Sequence, residues 1–345
     1  MKKSIFLVVA IVMMFSLVAC GSKDSTKDEG SEKVYKVALV ADGAGLGSQS
    51  FNDVALEGLE KAKTDFGIEI TTLEVKEAAD LANSLRSLAQ QGVDLIVTPS
   101  SSVQDAVKEV AVEYPNVYFA LLDVQVEGVD NVISSAYREH ESAFLLGALA
   151  ASITQTDKVG FVGGIGGTIQ DRFQYGYMAG AKYINKDATV VASYTGSFSD
   201  VGKGKEIASM MYADGVDFIA PTAGACNLGV FQAASEAGAD KWSFGAANGQ
   251  FNQMPDKIVA SQVKRVDNVA YTIVESLVNQ TIKGGSKTEY GLVDGGVDLY
   301  YSSEEALLSL IPEETKAVID DLRAKIIDGT IDVPENEAEY NAFIQ

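Results

Sequence analysis

The sequence predicts an α/β chain of two doubly wound lobes joined by a hinge that the chain crosses more than once. Three observations carry this. From Val34 onward, short apolar runs alternate with stretches of helical periodicity. The runs are apolar nearly throughout, as strands of a parallel sheet covered on both faces must be. The alternation also restarts half-way, with Gly92-Val93-Asp94-Leu95-Ile96 and Gly215-Val216-Asp217-Phe218-Ile219 in matching places.

In the first series, residues 35–40 read as a strand and 51–66 as a helix, with apolar positions at Val54, Leu56, Leu59, Ala62 and Phe66. A strand at 68–73 and a helix at 79–91 follow. The strand at 93–97 is stopped by Pro99, which has no N–H to donate. A helix at 102–113 and a strand at 117–122 complete the series. The second series predicts helices at 141–153, 170–185, 202–212 and 227–237, and strands at 158–162, 190–194, 216–220, 242–245 and 258–263. Residues 265–345 are too fragmentary for a third domain and are expected to return to both lobes. The first lobe is then 34–137 with part of 265–300, and the second 138–264 with part of 300–345. Two open sheets joined in this way turn their carboxyl-edge loops toward a shared cleft, where small ligands bind.

The amino-terminal segment sets the compartment. Lys2 and Lys3 precede a run from Ile5 to Val18 that only Ser16 interrupts. The run is short for a membrane span and reads as a signal peptide over residues 1–19. Leu17-Val18-Ala19-Cys20 resembles the bacterial lipobox, which implies cleavage before Cys20 and a diacylglyceryl group on its thiol. The alternative is an ordinary secretory signal with a chance cysteine. Gly21 to Lys33 has no large apolar residue and cannot bury enough surface to order itself, so 20–33 reads as a lipidated tether. The expected location is the extracytoplasmic face of the cell membrane.

Acidic residues outnumber basic ones 48 to 27, a net charge of −21. Nucleic acid and anionic lipid surfaces would repel such a chain; the excess reads as solubility. With Cys20 assigned to lipid, Cys226 is the one remaining cysteine and His140 the one histidine. Neither a disulfide framework nor a thiol or His-rich metal site can be built from them. No metal and no cofactor are expected. The mature chain must fold on apolar cores, two of them at this length, as a monomer.

Asp42-Gly43-Ala44-Gly45-Leu46-Gly47-Ser48-Gln49-Ser50-Phe51-Asn52 follows the first strand. Its glycines are spaced Gly-x-Gly-x-Gly, and Asp42 would repel a pyrophosphate, so a dinucleotide site is excluded. Either the loop merely turns the chain, or it holds a ligand. In the second case Asp42 accepts hydrogen bonds, Asn52 donates and accepts, and Phe51 offers a ring face. Gly163-Gly164-Ile165-Gly166-Gly167 lacks the lysine of a phosphate loop. His140, between Glu139 and Glu141, reads as a local ion pair or hinge contact, Cys226 as packing, and Trp242 as core.

Val37-Ala38-Leu39-Val40-Ala41-Asp42, Ser50-Phe51-Asn52 and Glu57-Gly58-Leu59 resemble the opening of the basic membrane protein family of purine-nucleoside receptor lipoproteins. The resemblance continues through Tyr137-Arg138-Glu139-His140-Glu141, Lys158-Val159-Gly160-Phe161-Val162-Gly163-Gly164, Ser197-Phe198-Ser199-Asp200, Ala223-Gly224, Ser261-Gln262-Val263-Lys264-Arg265 and Gly295-Gly296-Val297. It spans essentially the whole mature chain. It implies a type I periplasmic-binding-protein fold, a small ligand, and an ABC permease with its ATPase as partners. It further implies Phe51 and Phe198 as a stacking pair, one from each lobe, and Asn52 and Asp123 as base contacts with Asp42 nearby. Gly224 would give close backbone approach, and Lys264 would hold ribose.

Two segments depart from that family. Ala246-Ala247-Asn248-Gly249-Gln250 stands where an Asp-x-Asp-Gln segment is common, so Ala247 replaces the ribose-gripping carboxylate. Thr98-Pro99-Ser100-Ser101-Ser102 replaces a glycine-rich loop. Either Asn248 substitutes for the carboxylate, or the ligand is a free base, a deoxynucleoside or another heterocycle. The expected function is solute capture by lobe closure for an ABC importer. A sensor role or another small ligand, such as a flavin or sugar, is the alternative. A nucleoside-processing enzyme would need clustered aspartates on a metal, which the cleft-facing segments lack.

Overall fold

The computed structural model describes residues 33–345 apart from 42, 44 and 48. Cys20, the signal segment, most of the tether and Asp42 lie outside the described residues. Among those described, two six-stranded sheets form. The first contains β1 (Lys36–Ala41), β2 (Glu69–Glu74), β3 (Leu95–Thr98), β4 (Tyr118–Leu121), β5 (Val132–Tyr137) and β11 (Lys287–Tyr290), in the order β11-β5-β4-β3-β1-β2. Every pairing in it is parallel. The second contains β6 (Lys158–Gly163), β7 (Thr189–Tyr194), β8 (Phe218–Thr222), β9 (Trp242–Gly245), β10 (Ile258–Lys264) and β12 (Val297–Tyr301), in the order β12-β10-β9-β8-β6-β7. Only β12 runs antiparallel, against β10. The two orders are the same topology apart from that edge.

The helices are α1 (Phe51–Phe66), α2 (Leu81–Gln90), α3 (Gln104–Glu113), α4 (Glu139–Ile153), α5 (Thr168–Ile184), α6 (Val201–Ala213), α7 (Asn227–Ala237), α8 (Val266–Val278), α9 (Glu305–Leu308), α10 (Glu313–Ile327) and α11 (Glu337–Phe343). The central strands β1, β3 and β4 are buried on both faces, as the apolar runs require, whereas edge strand β2 is largely exposed. Among the described residues, seven elements lie outside the expected series: β5, α8, β11, β12, α9, α10 and α11. Strand β5 is interrupted by Ser134 and Ser135, strand β11 reads Lys-Thr-Glu-Tyr, and α8 falls in the segment that looked fragmentary.

The chain passes between the sheets three times: after β5 into α4, after β10 into α8, and from β11 into β12. The crossings are hydrogen-bonded to one another. Arg138 N donates to Tyr290 O (2.8 Å), Arg265 N to Gly296 O (2.9 Å) and Leu292 N to the Glu141 carboxylate (2.7 Å). Every residue of α4 except Ser152 is buried. Its backbone approaches that of α5 so closely that a Cβ on Gly147 or Gly180 would overlap the carbonyl oxygen of Tyr177 or Phe144. Backbone cannot yield as a flexible side chain can. Gly180→Ala is therefore expected to lower stability by about 1–3 kcal/mol, as overpacking does. An unchanged urea midpoint would refute the close-crossing account.

Candidate functional site

The strand ends determine where the cleft lies. The loops after β1, β3 and β4 meet those after β6, β7, β8 and β9 around a cavity of about 420 Å³. That is within the usual range for small-molecule sites, roughly 300–1,000 Å³. Among the described residues that line it, Asp123 is the one charged side chain.

From the first sheet come Phe51 and Asn52, placed by the start of α1. Asp53 fixes that start by accepting from Gly47 N (2.7 Å) and Ser50 N (3.1 Å). Asn52 is buried and donates to Gly45 O (2.9 Å), so part of its amide holds the preceding loop. Pro99 and Ser100 to Ser102 line the cavity where β3 ends; Ser100 Oγ accepts from Ser102 N (3.2 Å).

From the second sheet comes Phe198, half-buried, whose carbonyl accepts from Ala225 N (2.8 Å). Its ring lies on the backbone of Gly164, where any Cβ would overlap it. The glycine-rich loop thus has a local reason: it makes room for a phenyl ring. Behind it is a wall of uncharged groups. Gln170 Oε1 accepts from Thr222 Oγ1 (2.8 Å) while its Nε2 donates to Thr222 O (3.0 Å). Asn227 Nδ2 donates to Gln250 Oε1 (3.1 Å), which also accepts from Ala246 N (3.1 Å). Gly224 and Ala247 both line the cavity with left-handed backbone, φ 60° and 58°.

Behind Asp123, Lys264 ends β10 with only 2% of its surface exposed. Its ammonium donates to Asp123 Oδ1 and to Glu139 Oε1 (2.9 Å) and lies 4.4 Å from the centre of the Phe51 ring. Burial works against the ammonium, but the two carboxylates outweigh it and hold the Lys264 pKa above its usual value. Arg172 on α5 extends the cluster. It donates to Tyr137 O (2.9 Å) and to Glu335 (2.8 Å), and lies 3.5 Å from Glu139 Oε2 and 3.6 Å from Glu289.

The structure therefore brings Phe51, Asn52 and Asp123 from one sheet and Phe198, Gly224 and Ala247 from the other onto one cavity, whereas Lys264 is not among the lining residues and lies behind Asp123, to which it is bonded. Asn248 is not among the lining residues. Its side chain is exposed and donates to Glu57 Oε2 on α1 (2.8 Å), a bond that joins the two sheets' layers outside the cavity. Gln170, Thr222, Asn227, Gln250 and Glu139 were not singled out by the sequence. For Gln170 and Asn227 a signal existed, since each is an amide in the first turn of a helix that follows a strand-end loop. Cys226 is buried, its thiol donates to Ser197 O (3.3 Å), and burial pushes its pKa up. Among the described residues, no group of His, Cys, Asp and Glu is arranged to hold a metal ion, and no helix is long and apolar enough to cross a membrane.

Comparison with known proteins accords with this geometry. Residues 34–337 match the family described as ABC transporter substrate-binding protein PnrA-like, Bmp. The chain belongs to this family. Its members are substrate-binding proteins of ABC transporters, not enzymes, and a permease with its ATPase are the partners the family implies. The chain is 34% identical to Basic membrane protein A1 of Borrelia garinii subsp. bavariensis, covering all of both chains. It is also 34% identical to the ABC transporter nucleoside-binding protein BmpA of Lactococcus lactis subsp. cremoris, over 97% of this chain and 99% of that one. A solved solute-binding protein of an ABC transporter system from Aeropyrum pernix is 28% identical, with a TM-score of 0.81 over 90% of this chain and 96% of that one. The fold is that of the type I periplasmic binding proteins.

In this Bmp-family chain the first crossing also contains a buried histidine, His140 on α4. Burial, reinforced by the Arg138 and Arg172 cations, lowers the His140 pKa to about 3. The imidazole is therefore neutral, and its 3.8 Å approach to Glu335 is not an ion pair. The unfolded chain takes up this proton near the ordinary histidine value while the folded chain does not. Stability is then fully present above about pH 6.5 and is lost as pH falls toward the folded value, by about 2 kcal/mol between pH 7 and 5. In His140→Gln this part of the acid slope is expected to vanish from urea titrations; an unaltered slope would show that the imidazole is solvated.

Proposed function

We propose that this protein captures a flat, neutral, nucleoside-like heterocycle for an ABC importer. The observation that carries the reading is the pair Phe51 and Phe198, contributed by opposite sheet edges to one cavity. Two rings on facing walls suit a planar aromatic solute, since each stacked face contributes about 1–3 kcal/mol. Asp123 offers an acceptor beside them for ring N–H or amino donors. A phosphate would meet that carboxylate, so nucleotides are disfavoured. The similarity to a relative named as nucleoside-binding supports the same class. The ligand favours the closed arrangement because only there do both walls contact it, and the three crossings serve as the hinge.

Where the family commonly has a carboxylate, Ala247 presents a methyl group that cannot accept from a sugar hydroxyl. A ligand without the ribose diol, a free base or a deoxynucleoside, thus loses little here relative to a ribonucleoside, and the missing bond is worth about 1–3 kcal/mol. A competition series of ribonucleosides, deoxynucleosides, bases, flavins and sugars, read by thermal shift and calorimetry, tests the class. Strong preference for ribonucleosides would contradict the role given to Ala247.

Phe198→Ala is expected to weaken binding of the best heterocycle by about tenfold or more. Unchanged affinity in that variant would rule out stacking. Anchoring is proposed through Cys20, so Cys20→Ala should move the protein from the membrane fraction to the soluble one, and continued retention would mean that something else holds it there.

A further inference from the structure

We infer that Glu139 is a positioning residue for ligand capture, holding the Lys264 ammonium behind Asp123 so that Asp123 keeps a carboxylate oxygen for the ligand. The inference rests on the reading of the cleft given above and deepens it. Glu139 does not line the cavity; it is fully buried in the first turn of α4, where the helix dipole favours an anion. Its Oε1 accepts from Lys264, and its Oε2 faces Arg172. Lys264 is thus shared between Asp123 and Glu139, while Arg172 is shared among Glu139, Glu335 and Glu289. Without the Glu139 charge, Arg172 would keep Glu335 and Glu289, but Lys264 would face Asp123 alone. Asp123 would then be drawn wholly onto the ammonium, and a ligand donor would have to compete with Lys264 for it.

The chain topology gives the second argument. Asp123 belongs to the first sheet's edge and Lys264 to the second, whereas Glu139 sits on a crossing between them. When the sheet edges part, Asp123 and Lys264 separate. Glu139 remains beside the ammonium, which is never left as a buried charge without a counter-ion, a strongly destabilising state. Arg172 ties this carboxylate to Tyr137 O and to Glu289 on β11, which connects the cluster to the other crossings.

The groups facing Glu139 are Asp123 beyond β4, Lys264 on β10 and Arg172 on α5. Burial raises its pKa, the two cations lower it, and Asp123 raises it, with a net rise. The pairing needs the ionised form, so affinity is present above that raised value and is lost as pH falls through it. His140 beside it stays neutral down to about pH 3 in the folded chain and adds no titration to this range.

Calorimetry with inosine on wild type and Glu139→Gln, between about pH 5 and about pH 8, tests this, together with carboxyl-carbon and lysine Nζ NMR of the unliganded wild type. Glu139→Gln is expected to bind about tenfold or more weakly at neutral pH and to lack the wild type's acid limb. The wild-type limb should share its midpoint with the Glu139 carboxyl titration, and the Lys264 Nζ resonance should follow that titration. Equal affinities, a variant that keeps the limb, or differing midpoints overturn the inference. Absence of inosine binding by wild type counts against the nucleoside reading instead. In that case, or should the variant not fold, the NMR arm decides: a Lys264 resonance that ignores Glu139 overturns the positioning role.

Discussion

The Lys264 ammonium is almost wholly buried, and much of the cleft follows from that. A charge so buried must be neutralised where it stands, and the partners come from separate elements: Asp123 from the end of β4, Glu139 from the start of α4. Withdrawing either would cost on the order of several kcal/mol. The first sheet's edge, a crossing segment and the second sheet's edge are thereby held in one register. Phe51 completes the enclosure. Its ring lies against the ammonium, an arrangement worth about 0.5–2 kcal/mol, which fixes one aromatic wall of the cavity without any contact from a ligand.

The opposite wall is held by different physics. Phe198 is seated on bare backbone at Gly164, and the polar atoms around it are bonded mainly to each other: Gln170 with Thr222, Asn227 with Gln250. Such a network is rigid because each member's partner is another member. One wall is therefore charged and attached to the hinge, and the other is neutral and self-contained.

This division bears on what the sequence disclosed. The buried parallel strands were legible because a strand covered on both faces has to be apolar, and Pro99 marked the end of β3. Strand β5 was hidden because Ser134 faces a backbone donor, Val126 N at 3.0 Å, so a polar residue is tolerated inside the sheet. β11 was hidden because its side chains are largely exposed at a sheet edge. Phe51, Asp123 and Phe198 could be placed at strand ends from their order in the chain. Glu139-His140-Glu141 could be read only as far as a local ion pair or hinge contact, and the three side chains diverge. Glu139 goes to Lys264, His140 into the interior, and Glu141 to Arg138 and Leu292 N. A periodic pattern records which face is buried; it does not record which distant partner a buried charge meets. The same holds for Gln250 and Asn248, two residues apart on one loop, where φ values of 58° at Ala247 and 50° at Gln250 turn the amide of one inward and leave the other on Glu57.

Under the proposed reading, the asymmetry of the walls also assigns the work of recognition. The charged acceptor is at Asp123, on the side of Phe51, so discrimination among heterocycles belongs to that side. The facing wall offers the Phe198 ring, two alanines and amides already engaged with one another. A hydroxyl pressed against the Phe198 ring or the two alanines would exchange water for no new partner, and burying a polar group unpaired is unfavourable. A ring face or a methylene would give up only its own hydration, which favours burial. The wall built around Ala247 therefore selects by rejecting unmatched polarity on one half of the solute, while Asp123 selects by matching it on the other.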